Sequence, residues 1–283
     1  MQGKRIVITG PTAGIGRETA LELGRRGAQL TLLCRNRDKG EALAAEIAGQ
    51  GGATPQVIPL DMASLASVRA AGQALVERGE PIDVLINNAG LINTERRESV
   101  DGFEETLAVN HFAPFVLTGL LLPLLQAEPA SRIVNVASDA HKFVRGMGFD
   151  DMQAEQGFRT FREYGRSKLA NMLFTLSLAE RLGERGPTVN CLHPGAVSTS
   201  LGSQNDGVLS GLLPLLLKPF FKSPQQGAQT TLFLACDPAV AQVSGKYFVN
   251  SREVSPKPWA LDREAADRLW RYTEECTGFC YWL

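Results

Sequence analysis

Short, continuous runs of apolar residues alternate with longer stretches of helical periodicity along the first 250 residues of the chain. Continuous runs are typical of strands that are buried on both faces of a parallel sheet, whereas a half-exposed strand alternates apolar and polar positions. The seven predicted strands are 4–9, 28–34, 56–60, 82–88, 132–138, 188–193 and 245–250.

Helical patterns of suitable length lie between these strands. The predicted helices are 14–26, 38–48 with Asp38 as N-cap, 64–78 with Ser64 as N-cap, 101–127 and 164–185. The segment Ser223–Gln226 predicts a further helix, because it has the composition of a capping box with proline at the first helical position. Alternating strands and helices with right-handed crossovers predict an α/β fold, a Rossmann-type doubly wound parallel sheet with helices on both faces. We expect a single domain over residues 1–283.

Composition narrows the class of protein further. The chain has 29 basic and 30 acidic side chains, which argues against a nucleic-acid binder. Five scattered cysteines do not form a disulfide framework, and their usage indicates a reducing compartment. Because no signal peptide, transmembrane anchor or uninterrupted apolar run of about 18 residues is visible, we expect a cytoplasmic protein.

A glycine-rich turn follows the first predicted strand and opens the first predicted helix. Glycines at 10, 14 and 16 allow a sharp turn and close approach to a pyrophosphate, which the free N–H groups of the helix N-terminus then bind. The spacing differs from the usual G-x-G-x-x-G, and a purely structural turn is the alternative. We favour a dinucleotide site with contacts from Gly10, Thr12, Gly14, Ile15 and Gly16.

Basic residues follow the second predicted strand, where an NAD-specific site would carry an acidic residue. Arg35, Asn36 and Arg37 stand there, and Arg17 follows the last glycine of the turn. A guanidinium binds a 2′-phosphate through charge-assisted hydrogen bonds, whereas a carboxylate repels it. We therefore favour NADP(H) over NAD(H), and an ordinary solvated turn is the alternative.

A tyrosine and a lysine begin the helical pattern 164–185. Tyr164 and Lys168 are four residues apart and share one helical face, so that the ammonium is expected to lower the pKa of the phenol. Tyr164 would then exchange a proton with a carbonyl or alcohol. Ser138 ends a predicted strand, which places its hydroxyl at the same carboxyl edge of the sheet.

These motifs, in this order, resemble the short-chain dehydrogenases/reductases over nearly the whole chain. The resemblance implies that Asn110, Ser138, Tyr164 and Lys168 are the catalytic residues. It adds the following cofactor contacts to those above: Asp61, Met62, Asn88, Ala89, Gly90, Pro194, Gly195, Val197 and Thr199, together with Tyr164 and Lys168.

The segments Ser167–Asn171, Ser138–His141 and Ser223–Thr230 are similar to the retinol-dehydrogenase-like branch, which includes the WW-domain oxidoreductase. That resemblance implies NADP(H) as cofactor and a small lipophilic alcohol, aldehyde or ketone as substrate. We expect a protein without the N-terminal anchor of many relatives and without WW modules.

The family resemblance also implies a mechanism. Tyr164 donates the proton during carbonyl reduction, Lys168 assists it and binds the nicotinamide ribose, Ser138 holds the substrate oxygen, and Asn110 supports a water relay to Lys168. A non-catalytic, NADP(H)-sensing protein on the same fold is the alternative. No metal site is expected, because His111, His141 and His193 lack ligand spacing.

An apolar segment at 197–222 follows the last of these motifs. We interpret it as a substrate lid, with core packing, a subunit contact or a peripheral membrane contact as alternatives. The long helices 101–127 and 164–185 could also pair across a two-fold axis, which leaves a homodimer open.

Overall fold

A parallel sheet organises the molecule, as seen in a computed structural model that describes residues 1–128, 130–197 and 222–283. Its strand order is β3-β2-β1-β4-β5-β6-β7-β8, and only β8 runs antiparallel to its neighbour. The strands are β1 Arg5–Thr9, β2 Gln29–Cys34, β3 Gln56–Pro59, β4 Val84–Asn87, β5 Arg132–Val136, β6 Thr188–His193, β7 Tyr247–Val249 and β8 Arg252–Glu253. The doubly wound fold is confirmed, and the short edge strand β8 makes eight strands instead of the predicted seven.

Helices cover both faces of the sheet. They are α1 Gly14–Arg25, α2 Arg37–Gly49, α3 Leu65–Val76, α4 Glu105–Gln126, α5 Thr160–Leu182, α6 Pro224–Cys236 and α7 Arg263–Thr277. One apolar cluster joins Val7 of β1 to α3, α4 and α5, and another joins Ile6 and Ile8 of β1 to α1, α2 and α6. Successive β1 side chains therefore enter opposite layers, which explains the continuous apolar runs of the sequence.

Some helix boundaries differ from prediction. The N-cap of α2 is Asn36, whose Oδ1 accepts from Lys39 N, and the predicted cap Asp38 lies in the first turn of the helix. α5 begins at Thr160, which places Tyr164 in the second turn. Ser64 caps α3, and Ser223 with Gln226 forms the expected capping box.

A C-terminal helix, α7, lies where no element was predicted. Its side chain Trp270 packs on Phe115 of α4 and Phe174 of α5, and Tyr281 beyond the helix donates to Phe115 O at 2.6 Å. Gly119 of α4 permits this approach, because a Cβ there would collide with the Phe279 ring. The chain itself therefore covers faces of α4 and α5 that the sequence left open for a second subunit.

Among the described residues, one helix is long and apolar enough to cross a membrane, judged by length and composition. It is α4, whose most apolar 18-residue window has a mean hydropathy of 1.6 and is 83% buried within the protein. Burial of this order is typical of a core helix packed between a sheet and its neighbours.

The segment between β5 and α5 contains short 3₁₀ helices at Asp139–Phe143 and Phe149–Asp151, and its apolar side chains Val144, Met147 and Met152 pack against α5. Most of the predicted lid 197–222 lies outside the described residues. Its end residues Val197 and Lys222 form a parallel bridge.

Candidate active site

A cleft of about 1070 Å³ opens at the carboxyl ends of the central strands, where ligands bind in open α/β sheets. It brings together most of the predicted site residues. Those that line it are Gly10, Thr12, Gly14, Ile15, Gly16, Arg35, Asn36, Asp61, Met62, Asn88, Ala89, Gly90, Ser138, Tyr164, Lys168, Pro194, Gly195 and Val197. Thr199 lies outside the described residues.

The glycine turn has the backbone that its sequence requires. Gly10 and Gly14 have φ of 63° and 52°, which side chains of L-residues rarely adopt. Gly16 lies so close to the turn that a Cβ would collide with Gly10 O and Asn88 Nδ2. The backbone at the start of α1 is therefore open toward the cleft, a cradle that fits a dinucleotide pyrophosphate.

Asn88 and Thr9 hold this cradle in place. Asn88 Nδ2 donates to Thr9 O at 2.9 Å and to Gly10 O at 3.0 Å. In return, the Thr9 hydroxyl accepts from the backbone N–H groups of Asn88 and Ala89, both at 3.0 Å. These reciprocal bonds join the end of β1 to the end of β4, so that the turn has one fixed position.

Basic side chains line the cleft where β2 ends, beside the glycine turn. Arg35 and Lys39 are exposed and line the cleft, and within the described ranges neither forms an ion pair. Lys39 was not predicted. Arg17, by contrast, does not line the cleft, because its guanidinium pairs with Glu46 of α2 at 2.5 Å. Arg37 pairs with Glu41 at 3.5 Å and also lies off the cleft.

Asp61 and Met62 line the cleft where β3 ends. Asp61 Oδ1 accepts from Ala63 N at 3.0 Å, and Asp61 N donates to Ser67 Oγ of α3 at 2.9 Å. These bonds hold the carboxylate in a turn beside the basic end of the cleft. Both residues are among the cofactor contacts that the family resemblance implied, and both line the cleft.

Ser138, Tyr164 and Lys168 meet near the middle of the cleft. Lys168 Nζ lies 5.7 Å from the centroid of the Tyr164 ring and donates to Val136 O of β5 at 3.0 Å. Lys168 is buried, and Ser138 comes two residues after the end of β5 at Val136. One helix face and one strand end thus bring a phenol, a hydroxyl and an ammonium to the same place.

Burial dominates the ionisation of this group. It raises the pKa of Tyr164 to about 12, while a hydrogen bond with Ser138 acts in the opposite direction. Burial also lowers the pKa of Lys168 to about 8. Desolvation of the phenolate therefore acts against the lowering of the Tyr164 pKa that was expected from Lys168.

Asn110 lies behind the cleft in a π-helical turn of α4, Ala108–Phe112. Its Nδ2 donates to Leu91 O and Ser167 Oγ, both at 2.9 Å, and its Oδ1 accepts from Leu91 N at 2.8 Å. A Cβ at Gly90 would lie 3.2 Å from Asn110 Oδ1 and 3.4 Å from Lys168 Nζ. The π turn, a feature common at functional sites, thus places Asn110 close to Lys168.

Two of the three histidines, His111 and His141, form hydrogen bonds that hold parts of the fold together. His111 is buried and hydrogen-bonds Thr273 of α7 through Nε2 at 2.9 Å, and burial lowers its pKa to about 3. His141 Nδ1 lies 2.8 Å from Ser138 O. Among the described residues, no group of three or more histidine, cysteine or acidic side chains could hold a metal ion.

Several cleft residues were missed by the sequence analysis. Phe143 and Phe161 line its outer part with exposed rings, and Ile92, Arg97, Glu105 and Lys142 lie nearby on the same lining. Phe161 precedes Tyr164 by three residues, which places both on one helical face. That spacing was the only sequence signal for this part of the site.

The fold and the site together define an NAD(P)-dependent oxidoreductase of the Rossmann class. The family model for short chain dehydrogenase matches residues 4–207, and the chain belongs to that family. It is 43% identical to retinol dehydrogenase 14 of Mus musculus over 98% of this chain and 87% of the relative.

Two solved structures extend the comparison. One is an uncharacterized protein from Mycobacterium Paratuberculosis, with 31% identity, a TM-score of 0.81 and coverage of 100% of this chain and 96% of that one. The other, described as a short chain dehydrogenase from Escherichia coli CFT073 complexed with NADPH, has 26% identity, a TM-score of 0.70 and coverage of 89% and 98%.

Proposed function

We propose that this chain is an NADP(H)-dependent oxidoreductase that interconverts a carbonyl and an alcohol on a lipophilic substrate, of retinoid, steroid or fatty-aldehyde type. The observation that carries the proposal is the convergence of Ser138, Tyr164 and Lys168 in a cleft that begins at the glycine turn. A proton donor, a hydroxyl that can hold an oxygen, and a dinucleotide cradle are the groups that carbonyl reduction needs.

The protein supplies the proton and the orientation. With a pKa of about 12, Tyr164 is protonated at neutral pH and can donate to a carbonyl oxygen. Ser138 hydrogen-bonds the same phenol and can hold that oxygen beside it. Lys168, still mostly charged at pH 7, places its ammonium beneath the ring, where it stabilises the phenolate that forms when the proton leaves.

The cleft fits a nicotinamide dinucleotide. When bound, such a cofactor supplies or accepts the hydride. Gly10, Gly14 and Gly16 would hold its pyrophosphate, and Asn88 fixes their position. Gly195, at φ 97°, and Val197 would lie beside the nicotinamide end.

The preference for NADP(H) rests on Arg35 and Lys39. Both cations line the end of the cleft beyond the glycine turn, and Asn36 between them caps α2, whose N-terminus faces the same place. A 2′-phosphate there would meet two cations and a helix dipole. The relative complexed with NADPH agrees with this preference.

The lipophilic substrate is supported by the retinol named in the relative's description and by the exposed rings of Phe143 and Phe161 on the cleft lining. Apolar walls with a few polar groups at the reacting end are usual for such ligands. The cytoplasmic location expected from the sequence stays a prediction.

The test is the substitution Tyr164→Phe, assayed by NADPH oxidation with aliphatic aldehydes, retinal and steroid ketones. Loss of the acid is expected to lower kcat by roughly 10²–10⁴-fold, while NADPH binding, followed by fluorescence, stays within about threefold because the ring remains. Tyr281→Phe, which removes a hydroxyl bonded to Phe115 O, is the control and keeps its activity. Turnover in Tyr164→Phe at the wild-type rate would contradict the proposal, and NADPH binding without turnover in the wild type would favour a sensing protein.

A further inference from the structure

Two phenylalanine rings at the mouth of the cleft are exposed side by side. Phe143 is 63% exposed and Phe161 is 66% exposed, and their ring centroids lie 6.0 Å apart at an interplanar angle of 84°. Seven large apolar side chains are exposed among the described residues, and of these only Phe143 and Phe161 line the cleft. These two rings are therefore the exposed apolar side chains that a ligand in the described cleft would meet.

Both rings belong to segments that carry the reacting groups. Phe161 is in the first turn of α5 and precedes Tyr164 by three residues, so that the two side chains share a face. Phe143 ends the 3₁₀ helix that begins directly after Ser138. The ring pair thus has a fixed relation to the hydroxyl and the phenol.

The segment that carries Phe143 is held firmly. Trp259 Nε1 donates to His141 O at 3.0 Å, and His141 Nδ1 lies 2.8 Å from Ser138 O. A Cβ at Gly165 of α5 would lie 2.8 Å from Ala140 O and 3.4 Å from Phe143 Cβ, so glycine at this position allows the segment to rest directly on the helix. A site organised in advance loses little conformational freedom when a ligand binds.

Charge beside the rings is largely neutralised. Lys142, which precedes Phe143, pairs with Asp139 at 2.8 Å, and Asp139 also accepts from Tyr247 Oη at 2.9 Å. The two rings are therefore flanked by the ion pair between Lys142 and Asp139. An uncharged apolar group can lie against the rings without leaving either of these two charges unpaired.

We propose that Phe143 and Phe161 form an aromatic clamp that binds the apolar body of the substrate and so sets the enzyme's preference for long or bulky carbonyl compounds. The inference rests on the proposed function, since the occupant is the substrate whose oxygen meets Ser138 and Tyr164. The rings touch substrate atoms remote from the carbonyl. Their contribution is to binding, and it grows with the length of the apolar chain.

The test compares straight-chain aldehydes from propanal to decanal with NADPH, using Phe143→Ala, Phe161→Ala and the double variant. Trp282→Ala is the matched control, because Trp282 is 95% exposed and does not line the cleft. KM for decanal is expected to rise about tenfold in each single variant through lost apolar contact, with kcat within about threefold and propanal kinetics unchanged. Phe→Leu at either position is expected to restore about half of the loss on a logarithmic scale.

Two further readouts separate the clamp from other roles. Calorimetric binding of decan-1-ol to the NADPH complex is expected to weaken about tenfold in each Ala variant, a measurement that needs no turnover. Equal changes for propanal and decanal, or a lower melting temperature with unchanged decanal KM and decanol affinity, would overturn the clamp. If the wild type reduced neither aldehyde, the proposed function would fail, and decanol binding would still decide the clamp.

Discussion

The two ends of the cleft are built in different ways. At the glycine turn of the cofactor end, backbone atoms form the surface, and Gly16 leaves no space for even one additional carbon against Gly10 and Asn88. At the substrate end, the exposed side chains Phe143 and Phe161 form the surface and have open space around them. The first end accepts one ligand shape, whereas the second can accept different apolar groups by small changes of side chain.

We expect the largest loss of cofactor affinity from Gly16→Ala, because the glycine turn has no space for an added carbon. Its Cβ would collide with Gly10 O and Asn88 Nδ2, which must move and displace the cradle. We expect NADPH affinity to fall by at least about 100-fold, comparable to the loss of one or two charge-assisted hydrogen bonds. Fluorescence titration measures the affinity, and circular dichroism checks the fold.

Gly49→Ala provides the matched control. Gly49 ends α2, has an ordinary negative φ, and a Cβ there meets nothing within 4 Å. It should bind NADPH as the wild type does. An affinity of Gly16→Ala within threefold of the wild type would show that the cofactor end is as adaptable as the substrate end.

Arg35→Asp tests whether the basic residues of the cofactor end determine the preference for NADPH over NADH. The change removes a cation from the proposed 2′-phosphate site and adds repulsion, so KM for NADPH should rise roughly 10–100-fold while KM for NADH falls or stays. Steady-state assays with both cofactors measure the ratio. Arg37→Asp makes the same charge change two residues away, where the side chain pairs with Glu41, and should move the ratio by less than threefold. Equal wild-type rates with NADH and NADPH would contradict the assignment.

The pH dependence of carbonyl reduction tests the role of Lys168, which lies beneath the Tyr164 ring. Since burial lowers the pKa of Lys168 to about 8, its stabilising charge is present below pH 8 and is lost above it, while Tyr164 stays protonated up to about pH 12. Reductive kcat/KM should therefore be level from pH 6 to 8 and fall by about tenfold per pH unit above that. The residual activity of Lys168→Arg, whose guanidinium stays charged, should lack this fall. A level wild-type profile up to pH 10 would refute the assignment.

Features encoded within a few neighbouring residues could be predicted from the sequence, whereas features that depend on tertiary packing could not. The glycine turn and the Tyr164–Lys168 pair are encoded within a few residues, so their geometry follows from local rules. The pairing of Arg17 with Glu46, 29 positions away, and the burial that raises the pKa of Tyr164 depend on tertiary packing. The exposure of Phe143 and Phe161 likewise depends on which segments pack beside them.

The missed helix α7 has a different explanation. Its buried positions Ala266, Leu269, Trp270, Thr273 and Thr277 have helical spacing. Two of the five are threonines, so the apolar stripe is weak in the sequence. Thr273 and Thr277 nevertheless satisfy their hydroxyls on carbonyls one turn back, at Leu269 O and Thr273 O, which makes them suitable for burial.

The position of α7 in the chain has a consequence for synthesis. In the described part of the chain, every residue that lines the cleft precedes residue 198. The Trp270 side chain, which covers Phe115 and Phe174, belongs to α7, and that helix begins only at Arg263. A nascent chain can therefore have its whole described cleft outside the ribosome while these faces of α4 and α5 are still bare. Such exposed apolar surface is what chaperones bind and what aggregates. In this fold, a ribosome that stalls before α7 emerges leaves a chain whose described cleft residues are all synthesised while the apolar faces of α4 and α5 stay uncovered.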